Sequence, residues 1–317
     1  MQSNYLHNHP EFKELLRTVE HQKKIDRSLV EKDYWIMHCL YGLQQGGFKF
    51  ELKGGTSLSK GYGIIHRFSE DLDIRIEPPK DMKVPDGKNQ TKPAQCESRK
   101  KYYDWLASEI KIDGIKKIVR DKEFDNEKTY LSGGIRLNYK ESFPVVEGIK
   151  EGILLEVGFD DVTPNQEKDI SSWAFDFANE KGVKIKDNRA YRVLCYDPRY
   201  TFVEKLQTIV TKFRIQQEKG IMPSNFIRHY YDVYCLLKSD EVKDFVGTSE
   251  YENHKKKRFP VKDQSTPLSG QEAFLLNNAE TRKQFEREYK KSSALYFQGQ
   301  PSFNEILDLI SKNLTNL

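Results

Sequence analysis

The chain has 317 residues, a length that suits about two domains. Hydrophobic residues make up 37% and charged residues 32%. No apolar run reaches the roughly 18–20 residues of a spanning helix, so a helical membrane protein is excluded. The net charge of +4, from 52 basic and 48 acidic residues, is too mild to announce nucleic acid by itself.

In chain order, Pro10 opens a helix bearing Phe12, Leu15, Leu16 and Val19 at helical spacing. Ser28 reads as the N-cap of a second helix running to Gly46, with Val30, Tyr34, Met37, Cys39 and Leu40 apolar. Phe48–Leu52 alternates as a strand, Gly54-Gly55 breaks it, and Thr56-Ser57-Leu58 opens a short helix. Asp71–Ile76 alternates again and stops at Pro78-Pro79. Residues 80–101 carry seven Lys/Arg against three Asp/Glu and read first as a solvated insertion, with a phosphate-contacting loop as the functional alternative. A helix is expected over about 96–120, with Tyr102, Trp105, Leu106 and Ile110 on one face. Strands are expected at Tyr130–Tyr139, Ile153–Phe159, Ser172–Phe177 and 191–196.

Beyond Pro198 the pattern is helical. Phe202, Leu206, Ile209, Val210 and Phe213 form one face, and Phe226, Tyr230, Val233, Cys235, Leu236 and Leu237 another. Two further helices are expected over about 270–291 and 302–313. The expectation is an α+β domain over residues 1–196 and a helical domain over 197–317. Leu295–Gly299 resembles the core of a protease-cleavage tag, but it lies inside the chain with helical sequence after it and is read as native sequence or coincidence. The four cysteines are far apart, and the first twelve residues lack the apolar core of a leader, so a reducing cytoplasm is expected.

The chemistry concentrates in Lys53-Gly54-Gly55-Thr56-Ser57 and Asp71-Leu72-Asp73. Side chains alternate along a strand, so Asp71 and Asp73 share one face while Leu72, Ile74 and Ile76 take the other. Two carboxylates so placed are hard oxygen ligands for Mg²⁺, which takes the rest of its shell from water and substrate phosphates. The glycines let backbone approach a phosphate, and the helix after them offers free N–H groups. Glu156 lies mid-strand on the face opposite Ile153, Leu155 and Val157. It becomes a third metal ligand if its strand neighbours that of Asp71 and Asp73, and otherwise reads as a solvent-facing acid. Asp160 and Asp161 read as turn residues. Lys205 stands beside a packed helix face, positioned either to reach a triphosphate or to snorkel to solvent. Arg228 and Asp232 are spaced i, i+4, which a plain intrahelical ion pair explains.

Gly54-Gly55-Thr56 followed by Arg67-Phe68-Ser69-Glu70-Asp71-Leu72-Asp73 resembles the first motif of polymerase-β-type nucleotidyltransferases, and more closely the AbiEii/AbiGii family of nucleotidyltransferase toxins. The resemblance extends, in family order, to Glu31-Lys32-Asp33-Tyr34-Trp35, Leu155-Glu156-Val157, Thr201–Leu206 and Arg228–Asp232. It implies a mixed nucleotidyltransferase sheet with flanking helices and a helical C-terminal domain. It implies transfer of a nucleoside monophosphate from a nucleoside triphosphate, with Mg²⁺ (two ions) and release of pyrophosphate. Carried over residue by residue, Asp71, Asp73 and Glu156 hold metal. Lys53, Gly54, Gly55, Thr56, Ser57, Arg67, Ser69 and Arg228 contact the nucleotide, Lys205 grips the triphosphate, and Asp232 is the last-motif acid. Two departures stand out: His229 occupies a place where many members have a second acid, and Glu156 one where many of the wider superfamily have Asp.

The resemblance also implies the toxin of a type IV toxin–antitoxin pair, linked to abortive phage infection, with a cognate antitoxin encoded nearby. It implies RNA as acceptor, with the 3′ end of tRNA the expected target; the lack of a long apolar run sets the expectation of no membrane partner. Lys255-Lys256-Lys257-Arg258 and the 80–101 segment are compatible with phosphate contacts. The alternatives are a small-molecule or protein acceptor for the same chemistry, or a non-catalytic nucleotide-binding protein.

Overall fold

A computed structural model describes residues 4–223 and 225–317. The chain divides into two compact units. One comprises the residues up to Tyr62 together with Phe68–Tyr196; the other comprises Gly63–Arg67 with Asp197–Leu317.

The first unit opens with helices α1 (Phe12–Lys23) and α2 (Arg27–Gln45). Asp26, not Ser28, caps α2: its carboxylate accepts the Ser28 backbone N–H at 2.8 Å and satisfies one of the orphan donors of the first turn. Next come β1 (Phe50–Lys53), the one-turn helix α3 (Gly54–Thr56), β2 (Asp71–Ile76), α4 (Pro93–Glu109) and β3 (Ile115–Asp121). The unit ends with β4 (Ser132–Tyr139), β5 (Ile153–Gly158), β6 (Asn165–Ile170), α5 (Trp173–Glu180) and β7 (Ala190–Tyr196).

The seven strands form one mixed sheet in the order β3-β4-β5-β2-β1-β7-β6. β2 lies at its centre, antiparallel to β1 and parallel to β5. Leu72, Ile74 and Ile76 are wholly buried, as are Ile153, Leu155 and Val157, so the apolar faces of the two central strands share one core.

Two further expectations are corrected in this unit, and one strand was not foreseen. The helix expected to run to about residue 120 ends at Glu109, because the Asp113-Gly114 turn intervenes and Gly114 takes φ +77°. Residues 115–121 then form edge strand β3. Ser172–Phe177 is not a strand: the Ser172 hydroxyl caps α5 by accepting the Phe175 N–H at 3.2 Å, and Ala174, Phe175 and Ala178 bury a face at helical spacing. Strand β6 escaped notice because Asn165–Ile170 is a polar edge strand that lacks apolar alternation.

The second unit contains α6 (Pro198–Lys219), α7 (Arg228–Leu236), α8 (Asp240–Phe245), α9 (Ser249–Arg258), α10 (Glu272–Leu275), α11 (Ala279–Lys291) and α12 (Phe303–Asn313). The helix expected over 270–291 is two pieces, parted at Leu276 by a left-handed residue with φ +43°. Phe285 packs edge to face against Phe226 and Tyr230, and Tyr230 against Phe303, in its core. Within this unit Tyr296 bridges to Arg67, and the Phe297 N–H donates to the His66 carbonyl at 3.2 Å, so Leu295–Gly299 is built into the fold.

Candidate active site

Strand register brings the acidic residues together. Asp73 lies opposite Glu156 on β5 and opposite Lys53 on β1, while Asp71, two residues earlier, shares its face. The condition set for Glu156 is therefore met: its strand neighbours that of the acidic pair. Burial, then the charges of Asp73 and Asp71, push the Glu156 carboxyl up to about 8. Lys150 offsets part of this repulsion, with its ammonium 3.9 Å from Asp71 and 4.2 Å from the centre of the Phe124 ring.

Three carboxylates crowded on one sheet face, with one of them forced to hold a proton, make a hard-oxygen donor set that a divalent cation would relieve. The set fits Mg²⁺. A cleft of about 240 Å³ opens beside it, with Asp73, Glu156, Lys53, Lys88, Asn126 and Ser132 in its wall. Lys53 pairs with Asp160 at 2.8 Å and Lys88 approaches the same carboxylate at 3.3 Å. Lys88 is the residue by which the basic 80–101 segment reaches this cleft, whereas Asp160 anchors two lysines and is more than a turn residue.

The turn after β1 is built around the carboxylates. Gly54 takes φ +71°, and a Cβ placed on it would lie 1.9 Å from the Asp73 Oδ2. Thr56 is buried and its hydroxyl donates to the Asp71 carbonyl at 2.7 Å, so this side chain ties the turn to β2. Gly55 and Ser57 are buried beside it, and Ser69 is half-buried.

The charged triplet of α2 ties down segments of the same unit, including the residue before Asp71. Glu31, Lys32 and Asp33 are all buried, and each holds a different segment. Glu31 accepts the Ser142 N–H at 3.0 Å through both carboxylate oxygens. Lys32 pairs with Glu70, the neighbour of Asp71, at 3.2 Å and also donates to the Lys150 carbonyl. Glu70 in turn accepts the Lys150 N–H at 2.9 Å. Asp33 accepts from Lys60 and from the Trp173 N–H, each at 2.8 Å.

A second constellation lies in the helical unit. Asp232 is completely buried and receives Arg67 through two hydrogen bonds of 2.7 and 2.8 Å, with the Lys205 ammonium at 3.0 Å. Burial alone would raise the Asp232 carboxyl, but Arg67 and Lys205 outweigh it and hold it well below the usual carboxylate range. His229 lies 3.4 Å from the Lys205 ammonium through Nδ1. Burial and then Lys205 hold its imidazole well below its ordinary value, and an imidazole in either protonation state carries no negative charge to stand in for a second acid. Arg228 is half-buried, with its Nε enclosed and without a hydrogen-bond partner. The i, i+4 reading of Arg228 and Asp232 is thus replaced by a pair with Arg67, which sequence spacing could not reveal across 165 positions. In the basic run, Arg258 pairs with Glu204 at 3.2 Å and Lys255 donates to the Leu317 carbonyl.

This buried pair yields a stability prediction. Arg67→Met is expected to destabilise the helical unit by about 3–5 kcal/mol at pH 7, because it strips a buried carboxylate of its bidentate partner. A carboxyl with a depressed folded-state pKa contributes stability that is present above its unfolded value and lost as pH falls through the folded one. The gap between wild type and variant in urea unfolding should therefore be widest above about pH 4 and narrow in stronger acid. A gap that widens on acidification would contradict this account.

Lys88, Asn126 and Lys150 were not singled out from the sequence. The only signal was that Lys88 lies in a basic stretch; Lys150 and Asn126 stand in polar loops with no periodicity. No curated protein and no solved structure matches the chain. The family model described as nucleotidyl transferase AbiEii toxin of a type IV toxin–antitoxin system matches residues 38–309, which takes in the glycine turn, all three carboxylates, Lys205 and Asp232. The chain belongs to the AbiEii family of nucleotidyltransferase toxins.

Proposed function

We propose that the protein transfers a nucleoside monophosphate from a nucleoside triphosphate to an RNA hydroxyl, with the 3′ end of tRNA as target and Mg²⁺ as cofactor. The observation that carries this reading is the row of Asp71, Asp73 and Glu156 on adjacent strands, beside a glycine turn shaped to the Asp73 carboxylate. Asp71, Asp73 and Glu156 would hold the metal, which supplies positive charge to the reacting phosphate and to the departing pyrophosphate. The backbone N–H groups of Gly55 and Thr56 orient the donor phosphates, and Gly54, lacking a Cβ, leaves room for the Asp73 carboxylate beside them. Lys53 and Lys88 attract phosphate at the cleft, and Lys205 is assigned to the triphosphate. Arg67 and Asp232 act by fixing the Lys205 ammonium rather than by touching the nucleotide. As in phosphoryl transfer generally, positioning and charge stabilisation do most of the work. A cytoplasmic setting and control by an antitoxin complete the reading.

The test is incubation of the protein with total cellular RNA, Mg²⁺ and each of four α-³²P-labelled nucleoside triphosphates in turn. The expected result is label in tRNA with one of them. Pyrophosphate release only when small molecules or cell protein are added would move the acceptor to those classes. Nucleotide binding without any release of pyrophosphate would leave a binding protein.

A further inference from the structure

A second cluster of metal-ligating side chains lies in the sheet-bearing unit and takes no part in the proposed reaction. His7 comes from the segment before α1, His38 from α2, and Asp113 from the turn between α4 and β3. One ligand atom from each lies within 4.8 Å of the other two. In a tetrahedral zinc site with bonds of about 2.0–2.1 Å, neighbouring ligand atoms lie about 3.3 Å apart, so only small side-chain shifts separate the two arrangements.

The hydrogen bonds define which nitrogens are involved. His7 Nε2 faces the Asp113 carboxylate at 2.9 Å, and His7 Nδ1 faces the Tyr34 hydroxyl at 2.8 Å. His38 Nε2 faces the Asp113 carbonyl at 2.9 Å, and His38 Nδ1 faces the Asn188 amide at 2.8 Å. Each Nε2 has only an acceptor before it and so carries the proton, while His38 Nδ1 accepts from the Asn188 N–H and His7 Nδ1 from the Tyr34 hydroxyl, so both rings are neutral. Gly114 completes the enclosure: a Cβ there would lie 2.8 Å from the His7 Nε2 and 2.7 Å from the Trp35 ring. The Asp113 side chain is 57% exposed, which leaves an entry path.

We propose that His7, His38 and Asp113 form a binding site for a zinc-class divalent ion, held by the two Nε2 atoms and the Asp113 carboxylate. Two imidazoles with one carboxylate suit zinc and its neighbours, whereas Mg²⁺ favours all-oxygen sites. Binding breaks the two Nε2–H bonds and releases both protons to solvent or to the other ring nitrogens. With the rings protonated on Nδ1 instead, each needs an acceptor on that side. For His7 the Tyr34 oxygen serves. For His38 the acceptor is supplied by Asn188, whose Oδ1 is buried and makes no hydrogen bond. A half-turn of that amide brings the oxygen to both His38 Nδ1 and the Tyr34 hydroxyl, the two groups its nitrogen now faces. One rotation in a fully buried residue thus switches the outer hydrogen bonds to those that metal-bound histidines require. The ion would pin the segment around His7 to α2 and to the turn before β3.

The experiment is a Zn²⁺ titration of the full-length protein against a competing chromophoric chelator, with thermal melting in parallel. Asp113→Asn is the decisive variant, since the amide still accepts the His7 N–H bond but is a poor ligand; His38→Gln is the second. The wild type is expected to bind one equivalent more tightly than either variant, by at least tenfold, and to gain melting temperature with Zn²⁺ that the variants do not. Equal stoichiometry, affinity and melting response in all three proteins would overturn the site and leave a hydrogen-bonded latch. Zn²⁺ held at the three carboxylates would be common to all three proteins and cancels in the comparison. The outcome is independent of whether the nucleotide-transfer reading holds.

Discussion

Asp73→Ala is expected to lower nucleotide transfer by about three orders of magnitude while the fold survives. Asp73 is central in the row that register lays across the sheet, with Lys53 on one side and Glu156 on the other. Its removal takes a proposed metal ligand from the row and a carboxylate from the wall of the cleft. It also removes one of the charges that hold the Glu156 carboxyl at about 8. A carboxyl with a raised folded-state pKa costs stability that is absent below its unfolded value and grows as pH rises toward the folded one. Without metal, near pH 7, wild type bears part of that cost and Asp73→Ala bears less. Its metal-free melting temperature should therefore equal or exceed that of wild type, while Mg²⁺ should raise it less. Labelling of RNA and melting with and without Mg²⁺ check the two halves. Undiminished transfer would remove Asp73 from the mechanism, and a lower metal-free melting temperature would mean that the carboxylates do not repel one another as described.

The local half of this site was legible in the sequence, and the reason is physical. The alternation of Asp71 and Asp73 against Leu72, Ile74 and Ile76 fixes a strand with one acidic and one buried face, and a glycine pair before it fixes a turn. Glu156 could be named as a candidate, but its membership depended on β5 lying beside β2, which is a long-range pairing that no local pattern encodes. The same limit hid the Arg67–Asp232 pair and the segments held by Glu31, Lys32 and Asp33. Those three consecutive charges look like a solvated helix face until their partners are known; all are buried because each has one. Ser172–Phe177 was misread for a different reason: in six residues, apolar positions at helical spacing are too few to be told from alternation, and the cap at Ser172 decides. Edge strand β6 was missed because an exposed edge needs no apolar face.

Gly54→Ala is expected to reduce transfer about a hundredfold and to weaken Mg²⁺ binding, with a stability loss of only about 1–2 kcal/mol. Two effects act at once. The backbone there is left-handed, with φ +71°, which an alanine adopts at a cost of about 1 kcal/mol. The new methyl group would also meet Asp73, at 1.9 Å from Oδ2, 2.8 Å from Cγ and 3.0 Å from Cβ. Contacts that short cannot persist, so the Asp73 carboxylate must swing away from the position opposite Glu156. Gly47→Ala separates the two effects. Gly47 has φ +75°, nearly the same backbone, but nothing within 4 Å of an added Cβ. It should show a similar loss of stability with transfer and Mg²⁺ affinity unchanged. If Gly54→Ala matched Gly47→Ala in activity, the glycine would be needed for the turn alone. A selective loss in Gly54→Ala would mean that the turn and the carboxylate are fitted to each other, so the first glycine of the motif protects the position of a metal ligand nineteen residues later.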